Sequence, residues 1–355
     1  MKKSIALLLA VILTAALFAG CNSNNAGTTT TTAGTTTTAP TTAAPTTPAA
    51  TTVKTGLAIS TSVAKSADPT ADKAGLVQAD STIVAVTVDA DGKIVSCVID
   101  AAQTKVNFDT TGKVTTPLDS TFKTKNELGA EYGMIKGSKI GKEWNEQAAA
   151  LAQYVIGKTM DEVKGIAVDA EGKATDADLS ASVTVSLGSF IDTIAKAVEN
   201  AADLGASATD KLSLGTVTNI SDSKDAAADA AGLVQVYSTY TAVTTDTNGV
   251  ITSCVIDASQ SKVNFDATGK ITTDLTAAVA SKNELGAAYG MKAKSGIGKE
   301  WNEQAAAFAA YVTGKTPADV QGIAVSEGKA TDADLTASVT IHITDFQAAI
   351  ATATK

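Results

Sequence analysis

The chain has few of the residues on which catalytic and metal sites most often depend. Its 355 residues include one histidine, His342, and three cysteines. His342 aligns with Ser186 in an internal repeat, so a histidine triad or a histidine-containing metal site cannot occur in both copies. There is no GxxxxGK[ST] loop and no GxGxxG turn after a strand, which excludes the common nucleotide-binding motifs. The residues therefore indicate no metal site and no catalytic group.

Positive charge is also in the minority, because 28 basic residues face 37 acidic ones and leave a net charge of -9. With no basic patch, this balance argues against nucleic acid or anionic lipid as a partner. Each repeat carries one cysteine, Cys97 or Cys254, so no disulfide can form within a repeat. A bridge between the repeats would need both residues at an interface, and the pattern favours buried small apolar side chains instead.

The N-terminus is typical of an exported lipoprotein. The basic residues of Met1–Lys3 precede an apolar run, Ile5–Phe18, that ends at Ala19-Gly20-Cys21. The run is short for a permanent span of about 30 Å, and small residues before a cysteine are typical of lipoprotein cleavage. We predict a signal peptide over residues 1–20 and lipidation of Cys21. This places the protein outside the cytoplasm, lipid-anchored to the outer face of the cell membrane.

After Cys21 the chain has a low-complexity tract rich in Thr, Ala and Pro. Such a composition cannot bury enough apolar surface to offset the entropy of ordering the chain. Residues 21–54 are therefore predicted to be a disordered, extended linker, whose threonines could carry O-linked sugar.

An internal repeat organises the rest of the chain. Shifting the sequence by 157 residues superimposes SCVIDA at Ser96 and Ser253, KNELGA at Lys125 and Lys282, and IGKEWNEQAAA at Ile140 and Ile297. Two copies of this length favour tandem domains over a solenoid. We predict two homologous domains, residues 55–203 and 216–355, joined by a linker rich in Gly, Ser and Ala over residues 204–215.

Each repeat predicts an α+β domain. Apolar and polar residues alternate on both sides of Asp89–Gly92, which indicates a hairpin. Apolar residues recur at helical spacing from Trp144, which predicts an amphipathic helix, and Glu143 is expected on its exposed face. The alternation of Val183, Val185 and Leu187 predicts a strand, and a last amphipathic helix follows it. Hairpin strands with helices gathered after them predict an antiparallel sheet with helices packed on one face.

One segment carries a resemblance. Residues 176–184 read DADLSASVT, and residues 332–340 read DADLTASVT. Both precede a helix and resemble the segment of the FMN-binding domain family that reads Asp-x-x-Ser-Gly-Ala-Thr-x-Thr. In that family the penultimate Thr or Ser accepts FMN through a phosphoester. Register by the first aspartate implies these cofactor-binding residues: Ser182, Ser338, Asp176, Asp332, Thr184 and Thr340.

The resemblance implies a flavin-carrying electron-transfer protein similar to surface lipoproteins of Gram-positive bacteria. FMN would be held covalently or noncovalently in each repeat, attached by a separate flavin transferase and reduced by a membrane electron donor. Its ring could stack on Trp144 and Trp301, or on Tyr132 and Tyr289. The alternative is a noncatalytic cell-surface binding or structural module with degenerate flavin sites. In it the serine loops are ordinary turns and the tryptophans are core anchors. Neither reading makes the chain an enzyme.

Overall fold

The structure, a computed structural model, describes residues 51–355. The predicted signal peptide, the predicted lipidation site Cys21 and most of the predicted linker lie outside the described residues. Within the described range no helix is both long and apolar enough to cross a membrane. The first strand begins at Thr52, so the last part of the segment predicted as linker, up to residue 54, belongs to the folded chain.

The element order repeats along the chain. Repeat 1 contains strands β1 (Thr52–Ser62), β2 (Gly75–Val88) and β3 (Ile94–Phe108), then helices α1 (Lys125–Leu128), α2 (Trp144–Tyr154), α3 (Met160–Lys164), α4 (Ala177–Ser180) and α5 (Gly188–Glu199). Repeat 2 contains strands β4 (Ala202–Ser207), β5 (Lys211–Asn219), β6 (Gly232–Thr245) and β7 (Ile251–Phe265), then α6 (Lys282–Leu285), α7 (Trp301–Val312), α8 (Pro317–Gln321), the short strands β8 (Val325–Ser326) and β9 (Lys329–Ala330), α9 (Ala333–Thr336) and α10 (Thr344–Ala353).

The predicted α+β class is confirmed. The strands form two large antiparallel sheets, in the orders β3-β2-β1-β4 and β5-β6-β7, and β8 and β9 pair as a small separate ribbon. Helices α2 and α5 pack on one face of the first sheet, and α7 and α10 pack on one face of the second. Each repeat therefore buries an apolar core between its own sheet and its own helices.

The two sheets also pack against each other through their remaining faces. A shared core holds residues of both repeats, among them Val77, Val106, Val234 and Val263, and a second shared cluster joins Leu57 and Ile83 to Tyr240 and Ala242. The layers are thus helices, sheet, sheet, helices. The described residues 51–355 belong to one compact unit, so the two repeats do not stand apart. The sequence patterns predict helices on one face of each sheet and no partner for the other face; in the structure these remaining faces cover each other.

The contacts across this interface are reciprocal. Asp225 accepts a hydrogen bond from the backbone N–H of Val114 at 2.8 Å, and its counterpart Asp68 accepts one from Ile271 at 2.7 Å. Such i-to-j and j-to-i pairing is the mark of a two-fold arrangement. The repeats are therefore related as the two halves of a symmetric dimer would be, but within one chain.

The segment 204–215, predicted as a linker, consists of parts of two strands joined by a turn at residues 208–210. Ala202–Ser207 forms β4, which pairs with the free edge of β1, and Lys211–Asn219 forms β5. Its small residues suggest a loop because they have little apolar surface of their own. The pairing is supplied by edges of sheet that local composition does not reveal.

The hairpin prediction is confirmed in both copies. Strands β2 and β3 join through Asp89–Gly92, where the Asp89 carboxylate accepts from the N–H groups of Asp91 and Lys93. Gly92 has φ 77, and its counterpart Gly249 has the same value. Glycine adopts this left-handed conformation without the steric penalty that a Cβ brings.

The strand predicted from Val183 to Leu187 is not formed. Val183 and Leu187 are buried, but the segment is irregular and its backbone has no ladder partner. Instead the Thr184 N–H donates to the Gln147 side chain at 2.8 Å, and the Leu187 N–H donates to the Gly172 carbonyl at 2.7 Å. The alternation was therefore a true sign of burial, but burial by helices rather than pairing in a sheet.

Helix α5 lies so close to β1 that only glycine fits at residue 56. A Cβ there would stand 1.9 Å from the Ala197 carbonyl oxygen. We expect Gly56→Ala to lower the free energy of unfolding by about 1–3 kcal/mol, because the helix must move off the sheet. Gly188→Ala is the matched control, since a Cβ there meets nothing within 4 Å. Urea denaturation that gives the two variants equal stability would contradict this packing.

Candidate functional site

A buried carboxylate fastens the KNEL segment to the sheet in each repeat. The Asp100 side chain accepts from the N–H groups of Ala101 at 2.7 Å and Asn126 at 3.0 Å. Asp257 makes the same two bonds in repeat 2. Burial raises the pKa of each of these carboxyl groups to about 6. This joint explains why SCVIDA and KNELGA recur together, and it sets the position of the lysine that opens each KNEL segment.

The repeated IGKEWNEQ phrase is also a structural joint. Glu143, taken as exposed in the sequence, is 5% exposed and accepts from the N–H groups of Met134 and Ile135. The Gln147 side chain accepts from both the N–H and the hydroxyl of Thr184. Repeat 2 repeats these contacts with Glu300 and Gln304. The phrase therefore orients the loops around the central helix.

The residues predicted to hold FMN in repeat 1 are engaged with their own loop. Asp176 caps α4 by accepting from the Leu179 N–H at 2.9 Å. The N–H groups of Ser182 and Val183 both donate to the Leu179 carbonyl, and Thr184 is held by Gln147 as described above. Every backbone N–H beside the predicted acceptor hydroxyl is thus already bonded.

Repeat 2 has the same arrangement. Asp332 caps α9 through the Leu335 N–H at 3.0 Å, and the Ser338 N–H and hydroxyl both turn to the Leu335 carbonyl. Thr340 donates to Gln304. A phosphate is normally held by free N–H donors at a helix start, whereas the N–H groups of Ser338 and Thr340 are already bonded. The backbone around both predicted acceptor serines is thus engaged within its own repeat, and flavin attachment stays a prediction.

The structure brings other residues together into a cleft in each repeat. In repeat 1 the cleft has a volume of about 390 Å³ and lies where the sheet meets the start of α5. Its walls include Lys125, Trp144 and Phe190, with Asp80 from β2 and Ser189 from the helix start. Trp144 packs on Phe190 with ring centroids 6.1 Å apart. The tryptophan is 4% exposed, so it anchors the core and also contributes to the floor of the cleft.

The cleft of repeat 2 stands at the equivalent place and is larger, at about 600 Å³. Lys282, Trp301 and Phe346 replace the corresponding lysine, tryptophan and phenylalanine, while Tyr237 and Asp345 stand where repeat 1 has Asp80 and Ser189. Of the predicted flavin residues, Thr340 lines this cleft and Ser338 does not. The lysine, the tryptophan and the phenylalanine are thus common to both clefts, and the polar walls differ.

Lys282 is enclosed by aromatic rings. Its Nζ lies 4.5 Å from the ring centroid of Tyr237, 4.6 Å from that of Tyr289 and 4.7 Å from that of Trp301, and it donates to the Tyr237 hydroxyl at 2.8 Å. The residue is 4% exposed, and burial lowers the pKa of its ammonium group to about 8. Sequence reasoning considered Trp301 and Tyr289 but missed the lysine; its place at the head of KNEL in both copies was the available signal.

The charged residues in the cleft of repeat 1 are arranged differently. Lys125 lies over Tyr132 and Trp144, but the third ring is replaced by Asp80. Burial tends to raise the pKa of Asp80, yet hydrogen bonds from Lys65, Gln78 and Gln103 outweigh burial and lower it. The Lys65 Nζ stands 2.9 Å from the Asp80 carboxylate. The cleft of repeat 1 therefore contains its own paired carboxylate.

The two thiols are not reactive groups. Cys97 is half-buried, Cys254 is buried, and both are free. Burial raises the pKa of each thiol to about 12, so both stay protonated at neutral pH. They behave as the small apolar side chains that the sequence favoured.

Comparisons of the chain with protein-family models, curated proteins and solved structures returned no match.

Proposed function

We propose that the chain is a noncatalytic binding protein of the cell surface, and that its two clefts receive small ligands. The observation that carries the proposal is the duplication of one cleft with the same lysine, tryptophan and phenylalanine in both repeats. Concave sites with aromatic walls and a few convergent polar groups are the usual form of ligand sites. The surface location rests on the N-terminal signal and Cys21, and the predicted linker would hold the clefts away from the membrane.

The competing prediction is a flavin carrier, and a chain that carries covalent FMN would have a larger mass than the unmodified chain. We expect the mature chain, expressed together with a flavin transferase, to have its unmodified mass, because the backbone N–H groups of Ser182 and Ser338 are already bonded to carbonyl groups of their own loops. Intact mass spectrometry checks this. One FMN adduct per repeat, lost in Ser182→Ala plus Ser338→Ala, would restore the carrier and remove the binding-protein proposal.

Binding itself can be read from the two tryptophans, since the chain has only Trp144 and Trp301 and each lines one cleft. Trp144→Phe leaves a reporter in repeat 2 alone, and Trp301→Phe leaves one in repeat 1 alone. Neutral saccharides, amines and aromatic carboxylates are titrated while emission is followed. A saturable change from at least one class is expected. Emission that responds to none of them in either variant would contradict the proposal.

A further inference from the structure

We propose that the cleft of repeat 2 selects a small ligand that joins one anionic group to a flat ring, with Lys282 as its counter-ion. This inference rests on the proposed function, because it names the ligand class of one of the two clefts. It is carried by three independent features of the cleft: an ammonium group without a carboxylate partner, an uncapped helix start, and a buried hydroxyl without a hydrogen bond.

The first feature is the charge on Lys282. A buried ammonium group is costly unless an anion or hydrogen bonds compensate it. Its direct partners here are three ring faces and one phenol. The Asp257 carboxylate acts on it at longer range, and no carboxylate of the described residues makes a salt bridge with it. The rings stabilise the charge in part through their quadrupoles. A ligand carboxylate entering the cleft would complete the neutralisation.

The second feature is the start of α10, a helix of 10 residues. Its N-cap position is Ile343, which has no side-chain oxygen, and no side chain caps the first turn. The N-terminal N–H groups of a helix and its dipole favour an anion at this end. Asp345 and Phe346, in the first turn, line the same cleft as Lys282. The helix start and the ammonium group therefore face one cavity.

The third feature is Thr239 on β6. The residue is fully buried, lines the cleft, and its hydroxyl has no hydrogen-bond partner in the described chain. A buried hydroxyl without a partner costs about 1–3 kcal/mol, so such groups are rare unless a ligand or water satisfies them. A polar ligand atom in the cleft would supply the missing bond.

The walls set the rest of the ligand. Trp301, Tyr289 and Phe346 line the cleft with aromatic carbon, and the half-buried Tyr289 is the most open of the three, so a flat apolar ring can pack among them. Two carboxylates also line the cleft: Asp222 accepts from the Gln235 side chain, and Asp345 accepts from the Asn219 side chain. Lys329 also lines the cleft, so its two lysines balance these two carboxylates, and a second anionic group on the ligand would be repelled. The cleft thus favours one negative charge on a largely apolar ring.

The cleft of repeat 1 provides the contrast. Asp80 stands there in place of Tyr237 and is already paired with Lys65. A ligand anion would therefore meet a carboxylate at the position where repeat 2 has the Tyr237 phenol against Lys282. We infer from this position that the two clefts have diverged and that the anion preference belongs to repeat 2.

The probe is benzoate, with benzyl alcohol and benzylamine as neutral and cationic partners of similar size, titrated into the Trp144→Phe protein. We expect benzoate to change Trp301 emission at a concentration at least ten-fold lower than either partner. Lys282→Gln should weaken benzoate at least ten-fold. Tyr237→Asp should do the same while the lysine is retained, because it places the carboxylate of repeat 1 beside the ammonium group. Lys315→Gln is the matched control; it removes a lysine that lies over Tyr311, 4.4 Å from the ring centroid and outside this cleft.

Thermal melts show that each variant is folded before it is titrated. Equal or tighter binding of benzyl alcohol, benzylamine or a neutral saccharide would overturn the anion preference and leave the binding-protein proposal standing. Full benzoate affinity in both Lys282→Gln and Tyr237→Asp would overturn the role of the lysine. A Trp301 that responds to none of the probes overturns the ligand class, and only a Trp144 that is equally silent removes the proposed function as well.

Discussion

Phe108→Ala should lower the free energy of unfolding by about 3–5 kcal/mol and should do so for both repeats at once. The ring is fully buried and stacks on Phe265 of the other repeat, with centroids 4.5 Å apart and an interplanar angle of 17°. Phe265 lies 157 residues further on, the offset of the repeat. The two equivalent rings therefore meet near the two-fold axis, in the core that both sheets share.

The backbone is adapted to these rings. Gly75 pairs with Phe108 across the sheet, and a Cβ at Gly75 would stand 2.5 Å from the ring. Gly232 and Phe265 repeat the arrangement. Truncating either ring leaves a cavity that the closely packed strands cannot fill, so Phe265→Ala should behave as Phe108→Ala does.

The measurement is urea denaturation followed through one tryptophan at a time, in the Trp144→Phe and Trp301→Phe backgrounds. Both reporters should give the same midpoint, displaced to the same extent by Phe108→Ala, because neither sheet has another cover for its inner face. Leu118→Ala, at a side chain that is 43% exposed, should leave the midpoint unchanged. Two separate transitions, with only one displaced, would show that the repeats are independent domains.

Replacing both buried aspartates, Asp100→Asn and Asp257→Asn, should change how stability depends on pH. Burial raises the pKa of each group in the folded chain to about 6, from 3.8 in the unfolded chain. The folded state therefore holds more protons between these values, and stability falls as the pH rises through this window. From pH 5 to pH 7 the unmodified chain should lose roughly 1 kcal/mol per buried carboxyl relative to the double variant.

Urea denaturation at the two pH values checks this expectation. Asparagine keeps the acceptor for the Ala101 and Asn126 N–H groups but does not titrate. Asp109→Asn is the control that should show no difference between pH 5 and pH 7. Hydrogen bonds from Thr111 hold the pKa of that exposed carboxyl below its usual value of 3.8, so its contribution to stability is lost only as the pH falls below that value. A stability difference between the double variant and the unmodified chain that is the same at pH 5 and pH 7 would contradict a buried, ionising pair.

The turns and helix starts could be predicted from the sequence because they depend on contacts between residues close together in the chain. The hairpin turns at Asp89 and Asp246 close through bonds from a side chain to residues two and four positions ahead. The short helix after Thr159 begins with a capping box, and Thr316 with Pro317 marks its copy. These signals act within one turn of chain and hold whatever surrounds them.

The candidate site was harder to predict. The sequence identified both tryptophans as candidate site residues but not Lys125 and Lys282. A lysine at a helix start usually points to solvent, so neither lysine was expected in a cleft. Only the fold places Lys282 among three rings drawn from β6, α7 and the turn that ends at Tyr289. The loops at Ser182 and Ser338 carry hydroxyls that suggest a site. Thr184 and Thr340 in these loops donate instead to the side chains of Gln147 and Gln304, which lie on another helix.

By itself, the sequence determined the export signal and linker as predictions, and the duplication, the α+β class, the turns and the main helices as features that the structure shares. Tertiary structure alone decided that the sheets of the two repeats face each other, that residues 204–215 belong to two strands and the turn between them, and that Val183–Leu187 pairs with no strand. The physical reason is range. A cap or a turn is satisfied by neighbours a few residues away, whereas a sheet face or edge is satisfied by segments more than a hundred residues distant, whose position no local pattern records.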